Sequence, residues 1–287
     1  MPTFTAPDGT QLAYHLLGEG EPLVCLPGGP MRASAYLGDL GGLSAHRRLV
    51  LLDLRGTGDS AEPADPDSYR CDRQVGDLTA LCDHLGLDRV DLLAHSAGGD
   101  LALLFATRHP ERIRSLTLVT GRARALGVEF KLEHRLAAAA LRSGQAWYAE
   151  AWPAYQAVLA GTATDPDWDA AMPFYYGRWD DAARAHAALD VTQTNEPASD
   201  AYAADGAFDP VPARAVAASW DAQVLLLAGE LDSGPLPAVA ADIAGLFPRA
   251  ELVVQPGAGH FPWLDDPAFF RNAIAGFLAA VADRPVA

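Results

Sequence analysis

One passage, residues 89–109, limits what this chain can fold into: a buried strand turns straight into a helix. Val90, Leu92, Leu93 and Ala94 form a short, nearly all-apolar run, the signature of a strand covered on both faces of a parallel sheet. From Asp100 to Arg108 the apolar residues recur at helical spacing, with Leu101, Leu104 and Phe105 on one face. Only His95-Ser96-Ala97-Gly98-Gly99 separates the two. A bend this sharp needs small residues, which Ala94, Ala97 and Gly98 supply. A serine capping an ordinary strand–turn–helix would account for Ser96 alone. Strand, small-residue turn and helix together match the G-x-S-x-G nucleophile elbow, with Ala94 in the first glycine's place. Such a turn holds Ser96 above the sheet edge at a helix N-terminus, where N–H groups favour developing negative charge.

The rest of the chain supplies a sheet for that elbow. Residues 3–6 and 11–17 flank Pro7-Asp8-Gly9-Thr10, a turn signal that predicts an opening hairpin. Apolar runs at 23–26, 48–54, 113–120, 222–228 and 251–254 predict further strands, with helices over 72–85, 236–247 and 267–281. Strands alternating with helices imply a mostly parallel sheet with helices on both faces. The rhythm breaks between 122 and 214, where the pattern predicts helices at 129–141, 145–159, 167–176 and 180–188 and no strong strand. Trp147, Trp152, Trp168 and Trp179 fall in that stretch. We therefore expect a core of residues 1–121 and 215–287 and an inserted helical cap, 122–214, lying over Ser96.

Composition removes several classes of function. The net charge of −16 carries no basic run, which argues against nucleic acid or an anionic membrane as partner. No stretch approaches membrane-spanning length, and the first residues lack the pattern of a secretory signal. Cys25, Cys71 and Cys82 are odd in number and lack metal-site spacing, so they read as reduced thiols and the protein as cytoplasmic. No glycine-rich nucleotide site is present: Gly56 and Gly58 lack a third glycine, and Gly18-Glu19-Gly20 precedes a strand. The sequence thus calls for no metal and no cofactor.

A serine hydroxyl needs a base within hydrogen-bond reach, and the base needs an orienting carboxylate. Of the eight histidines only His260 lies in a glycine-rich loop just past the last strand. His84 and His109 close helices, where histidine is common for dipole reasons. His95 adjoins Ser96 and reads as structural or wall-lining. Asp232 lies in the loop after the preceding strand, and Glu230 is the fallback acid. The order Ser96, Asp232, His260 is nucleophile, acid, base. Two N–H donors are expected for an oxyanion, from Ala97 and from the Pro27-Gly28-Gly29-Pro30 loop at Gly29.

These residues carry a resemblance. Over its whole length the chain resembles the α/β-hydrolase fold, and within it the proline iminopeptidase branch of serine peptidases. Gly28-Gly29-Pro30 resembles that branch's His-Gly-Gly-Pro-Gly, residues 53–60 resemble Asp-Gln-Arg-Gly-x-Gly-x-Ser, and Gly257-Ala258-Gly259-His260 completes the likeness. Pro27 stands where histidine is usual, and His95 and Ala97 flank the serine where glutamine and tryptophan are usual. The resemblance implies removal of an N-terminal residue, with cap carboxylates holding the substrate's ammonium group. Glu196 is the candidate anchor, because Pro197 disfavours helix at the residue before it and leaves Glu196 free to reach inward. Glu133 and Asp205 are weaker candidates.

The sequence therefore predicts a serine hydrolase that cleaves an N-terminal aminoacyl amide of a small or short-peptide substrate with a free amino group. A carboxylesterase or lactonase with the same triad is the first alternative. A non-catalytic small-molecule receptor on a hydrolase scaffold is the alternative of another class.

Overall fold

A computed structural model describes residues 1–283. Eight strands form one sheet: β1 (Thr3–Thr5), β2 (Gln11–Leu17), β3 (Pro22–Leu26), β4 (Arg48–Leu52), β5 (Val90–His95), β6 (Ile113–Val119), β7 (Gln223–Gly229) and β8 (Ala250–Gln255). Their spatial order is β1-β2-β4-β3-β5-β6-β7-β8. The opening hairpin and the β2–β4 pair are antiparallel; from β4 through β8 every pairing is parallel.

The apolar runs are explained by burial on both faces. Side chains alternate across a strand, and here each alternate set meets its own core. Val24, Leu26, Val50, Leu52, Leu92, Ala94, Val224 and Leu226 face one side with Leu78, Leu101 and Ile243. Leu23, Cys25, Leu49, Leu51, Leu93, Leu225 and Leu227 face the other, with Phe270, Ile274 and Phe277. The first side is covered by α1 (Val75–His84) and α2 (Gly98–Arg108), the second by the closing helix Pro267–Ala282. All six residues of β5 are buried, as expected for the strand that carries the elbow.

Among the described residues only helices and turns lie between β6 and β7 apart from isolated bridges. They include α3 (Leu132–Ala140), α4 (Tyr148–Ala160), α5 (Asp165–Ala171), α6 (Asp181–Ala188), α7 (Asp190–Gln193), α8 (Glu196–Tyr202) and α9 (Pro210–Ala217). The insertion is not one body. Ala139, Ala154, Tyr155, Val158, Ala171 and Phe174 make a small core of their own, with the Tyr155 and Phe174 rings stacked 4.2 Å apart. Ala198, Tyr202, Ala213 and Ala217 belong instead to the core against the sheet. The expected boundary at 214 falls inside α9. No helix among the described residues is long and apolar enough to cross a membrane.

Candidate active site

The turn after β5 brings the backbone of Ser96 to φ 51°, the left-handed region that a serine seldom occupies. A Cβ on Gly98 would stand 2.4 Å from the Pro27 carbonyl oxygen, and one on Gly28 would stand 2.7 Å from the Ser96 Cβ. Two glycines thus let the elbow and the loop after β3 pass within backbone distance of each other.

Against Ser96 stands the loop that follows β8. His260 Nε2 is 2.8 Å from Ser96 Oγ. His260 Nδ1 is 3.1 and 3.0 Å from the two carboxylate oxygens of Asp232, which is fully buried in the loop after β7. Asp232 also accepts the Gly234 N–H at 2.9 Å. The geometry allows Oγ to lose its proton to Nε2 while the carboxylate steadies the imidazolium. The Gly29 and Ala97 N–H groups find no protein partner among the described residues, whereas the neighbouring Gly28 N–H is taken by the Tyr36 hydroxyl at 2.7 Å. Gly29 and Ser96 both line one cavity of about 230 Å³, with His260, Phe130, Tyr175 and Phe261 among its walls.

Two buried groups hold this arrangement. His95, 1% exposed, has Nδ1 2.6 Å from the Tyr36 hydroxyl and Nε2 2.9 Å from the His260 carbonyl. Burial pushes its pKa well below the usual histidine value, and nearby His260 adds to the effect. Arg142, also 1% exposed, comes from the insertion and donates to the carbonyls of Pro173, Tyr176 and Leu231. It joins the insertion to the residue preceding Asp232. Tyr36 and Arg142 had no signal in the sequence, since neither stands in a motif or at a strand end.

The carboxylates proposed for an ammonium group lie elsewhere. Glu196 is exposed, at the first position of α8, and does not line the cavity. The expectation of an irregular segment fails because Pro197 sits in the helix's first turn, where its missing N–H has no partner to lose; Asn195 caps the helix. Glu133 and Asp205 are exposed too. Glu230, the fallback acid, is exposed and accepts the Gly257 N–H at 2.8 Å. Among the described residues the single carboxylate on the cavity wall is Asp190, held 2.9 Å from Arg32. The 53–60 segment is structural: Asp53 accepts from Ser34 and from the Asp59 N–H, and Arg55 forks onto Asp77. His15, Asp53 and Asp59 gather their ligand atoms within 4.8 Å, but those bonds already engage Asp53.

A family model for the alpha/beta hydrolase fold matches residues 21–267. The chain belongs to the alpha/beta hydrolase fold family. Its mostly parallel eight-stranded sheet is that of the fold. It is 36% identical over 127 residues to a 2-hydroxy-6-oxo-2,4-heptadienoate hydrolase of Pseudomonas putida, covering 43% of this chain and 44% of that enzyme. It is 38% identical over 117 residues to a proline iminopeptidase of Lactobacillus helveticus, covering 38% of this chain and 40% of that one. The chain thus aligns with less than half the length of either relative. The crystal structure of proline iminopeptidase from Mycobacterium smegmatis superposes with a TM-score of 0.74 at 25% identity, over 98% of both chains.

Proposed function

We propose that this protein hydrolyses small carboxylic esters or lactones through an acyl-enzyme on Ser96. The observation that carries the reading is the unbroken line from Ser96 Oγ through the His260 imidazole to Asp232. Ser96 Oγ attacks the acyl carbonyl and passes its proton to His260 Nε2. The oxyanion accepts from the Gly29 and Ala97 N–H groups. Collapse expels the alcohol, which takes the proton from His260, and a water molecule then releases the acid by the same steps.

Support for an ester over an aminoacyl amide comes from the cavity wall. A buried ammonium needs a carboxylate beside it, and Asp190 is already paired with Arg32. Cleavage of an N-terminal aminoacyl amide stands as the second reading, favoured by the likeness to proline iminopeptidases. A panel of 4-nitrophenyl esters, lactones and aminoacyl anilides separates the two. Faster turnover of esters, labelling by a fluorophosphonate, and loss of both in Ser96→Ala are the expected results. Labelling that survives Ser96→Ala, or a marked preference for free aminoacyl anilides, would sink the ester reading.

A further inference from the structure

The cavity beside Ser96 is cationic in a protein whose net charge is −16. Three arginines line it, Arg32, Arg122 and Arg135, against the lone Asp190. Arg32 is fully committed: to Asp190 at 2.9 Å, to Gln193 at 3.0 Å, to the His186 carbonyl at 3.1 Å, and over the Tyr36 ring. Arg122 and Arg135 are different. Both are half-buried, and neither guanidinium has a hydrogen bond or ion pair among the described residues. Arg124, by contrast, reaches Glu129 at 3.6 Å.

Arg122 is tied to the reaction centre by its backbone, since its N–H donates to the Ser96 carbonyl at 2.8 Å. Its guanidinium lies 5.4 Å from the centre of the Phe130 ring, another wall of the cavity. Burial and then the like charges of Arg124 and Arg135 lower its pKa; the buried Asp100 carboxyl offsets this only in part and makes no hydrogen bond or ion pair with the guanidinium among the described residues. Half-burying a cation without a partner is costly. Arginine forks are the side chains that best match a planar two-oxygen anion.

We propose that Arg122 and Arg135 recognise a carboxylate on the substrate, so that the preferred substrates are half-esters or lactones bearing a second, ionised carboxyl group. The inference rests on the ester reading above, and its test has an arm that does not. In the first arm, kcat/KM is compared for the 4-nitrophenyl half-ester of glutarate and for its neutral methyl diester counterpart. The wild-type enzyme is expected to favour the half-ester by roughly 10- to 100-fold, and Arg122→Gln or Arg135→Gln to collapse that ratio toward one. Raised salt should shrink the preference only modestly, because half-buried charges are screened less than exposed ones. In the second arm, glutarate is titrated calorimetrically into Ser96→Ala protein and into Ser96→Ala combined with Arg122→Gln. Binding to the first and a loss of roughly tenfold or more in affinity in the second is the expected result. Active-site titration with a fluorophosphonate confirms that the single arginine variants retain folded sites. Turnover of neither ester with glutarate still bound would fail the ester reading and keep the anion site. A wild-type enzyme indifferent to the carboxylate, or a half-ester preference and glutarate affinity unmoved by either arginine substitution, overturns the proposal.

Discussion

His95 Nε2 stands 2.9 Å from the carbonyl oxygen of His260, so the residue preceding Ser96 grips the backbone of the imidazole that faces Ser96. A carbonyl can only accept, which puts the His95 proton on Nε2. Nδ1 must then accept from the Tyr36 hydroxyl 2.6 Å away, whose oxygen in turn accepts the Gly28 N–H. Three loops, after β3, β5 and β8, are locked by one neutral imidazole. Burial holds the His95 pKa well below the usual histidine value, which favours the neutral imidazole that this lock uses.

Replacing His95 with leucine should therefore loosen the base more than the pocket. We expect a stability loss of about 1–3 kcal/mol from the buried partners left unpaired. On the best ester, kcat should fall by roughly tenfold or more with little change in KM, since the misplaced group acts in the transition state. Denaturant unfolding and steady-state kinetics check this. A fall in stability with kcat unchanged would show that His95 merely fills space.

Gly28→Ala probes the close approach of loop and elbow. The new Cβ would stand 2.7 Å from the Ser96 Cβ and 2.8 Å from the His95 carbonyl oxygen. Neither neighbour is a flexible side-chain end, so the strain falls on the elbow. The expected cost is about 1–3 kcal/mol, with loss of most activity. Gly257→Ala is the matched control for space, since its Cβ would meet nothing within 4 Å, although its φ of 65° carries a backbone penalty.

The two acids of the loop after β7 should separate cleanly. Asp232→Asn keeps the shape but removes the charge beside His260, and kcat should drop by on the order of 10⁴. Glu230→Gln touches only the Gly257 N–H at the surface and should leave kcat within about a factor of two. Equal damage from both would reassign the acid.

Asp100 supplies a pH signature of stability. Fully buried in the first turn of α2, its carboxyl is pushed up to about 6 by desolvation, although it accepts the Ala125 N–H. A carboxyl whose folded value lies above its unfolded one binds more protons in the native state between those values. Its contribution to stability is therefore fully present below about pH 4 and is lost as pH rises toward 6. Asp100→Asn abolishes this dependence, so the variant's stability relative to wild type should rise by up to about 3 kcal/mol between pH 4 and pH 7. Denaturant unfolding at the two pH values measures it; a constant difference would contradict the assignment.

Much of this architecture could be read from the chain because its signals are local. Buried parallel strands announce themselves as unbroken apolar runs, and the elbow by small residues around Ser96. Asp232 and His260 were legible because each follows a strand at the same sheet edge. Glu196 misled because the rule for residues before proline weakens in a helix's first turn. Tyr36, Arg122, Arg135 and Arg142 matter through contacts made across the fold, and only Arg122, just past β6, stood where strand ends cluster. Whether an arginine is paired or unpaired is a property of its neighbours in space, which one-dimensional pattern does not carry.

The insertion between β6 and β7 also bears on how the sheet can assemble during folding. Val119 pairs with Leu227 across the whole helical segment, so this central junction is among the sheet's most distant in sequence. Closing so long a loop is slow when the chain between is disordered, because its entropy must be lost before any contact is gained. The cluster around Tyr155 and Phe174 uses contacts close in sequence and can condense first. A pre-formed helical cluster shortens the effective loop, bringing β6, which lies beside the strand that carries Ser96, and β7, which leads to Asp232, into each other's reach. Seen this way, the small aromatic core is a kinetic tether as much as a roof. Weakening it with Phe174→Ala should slow refolding.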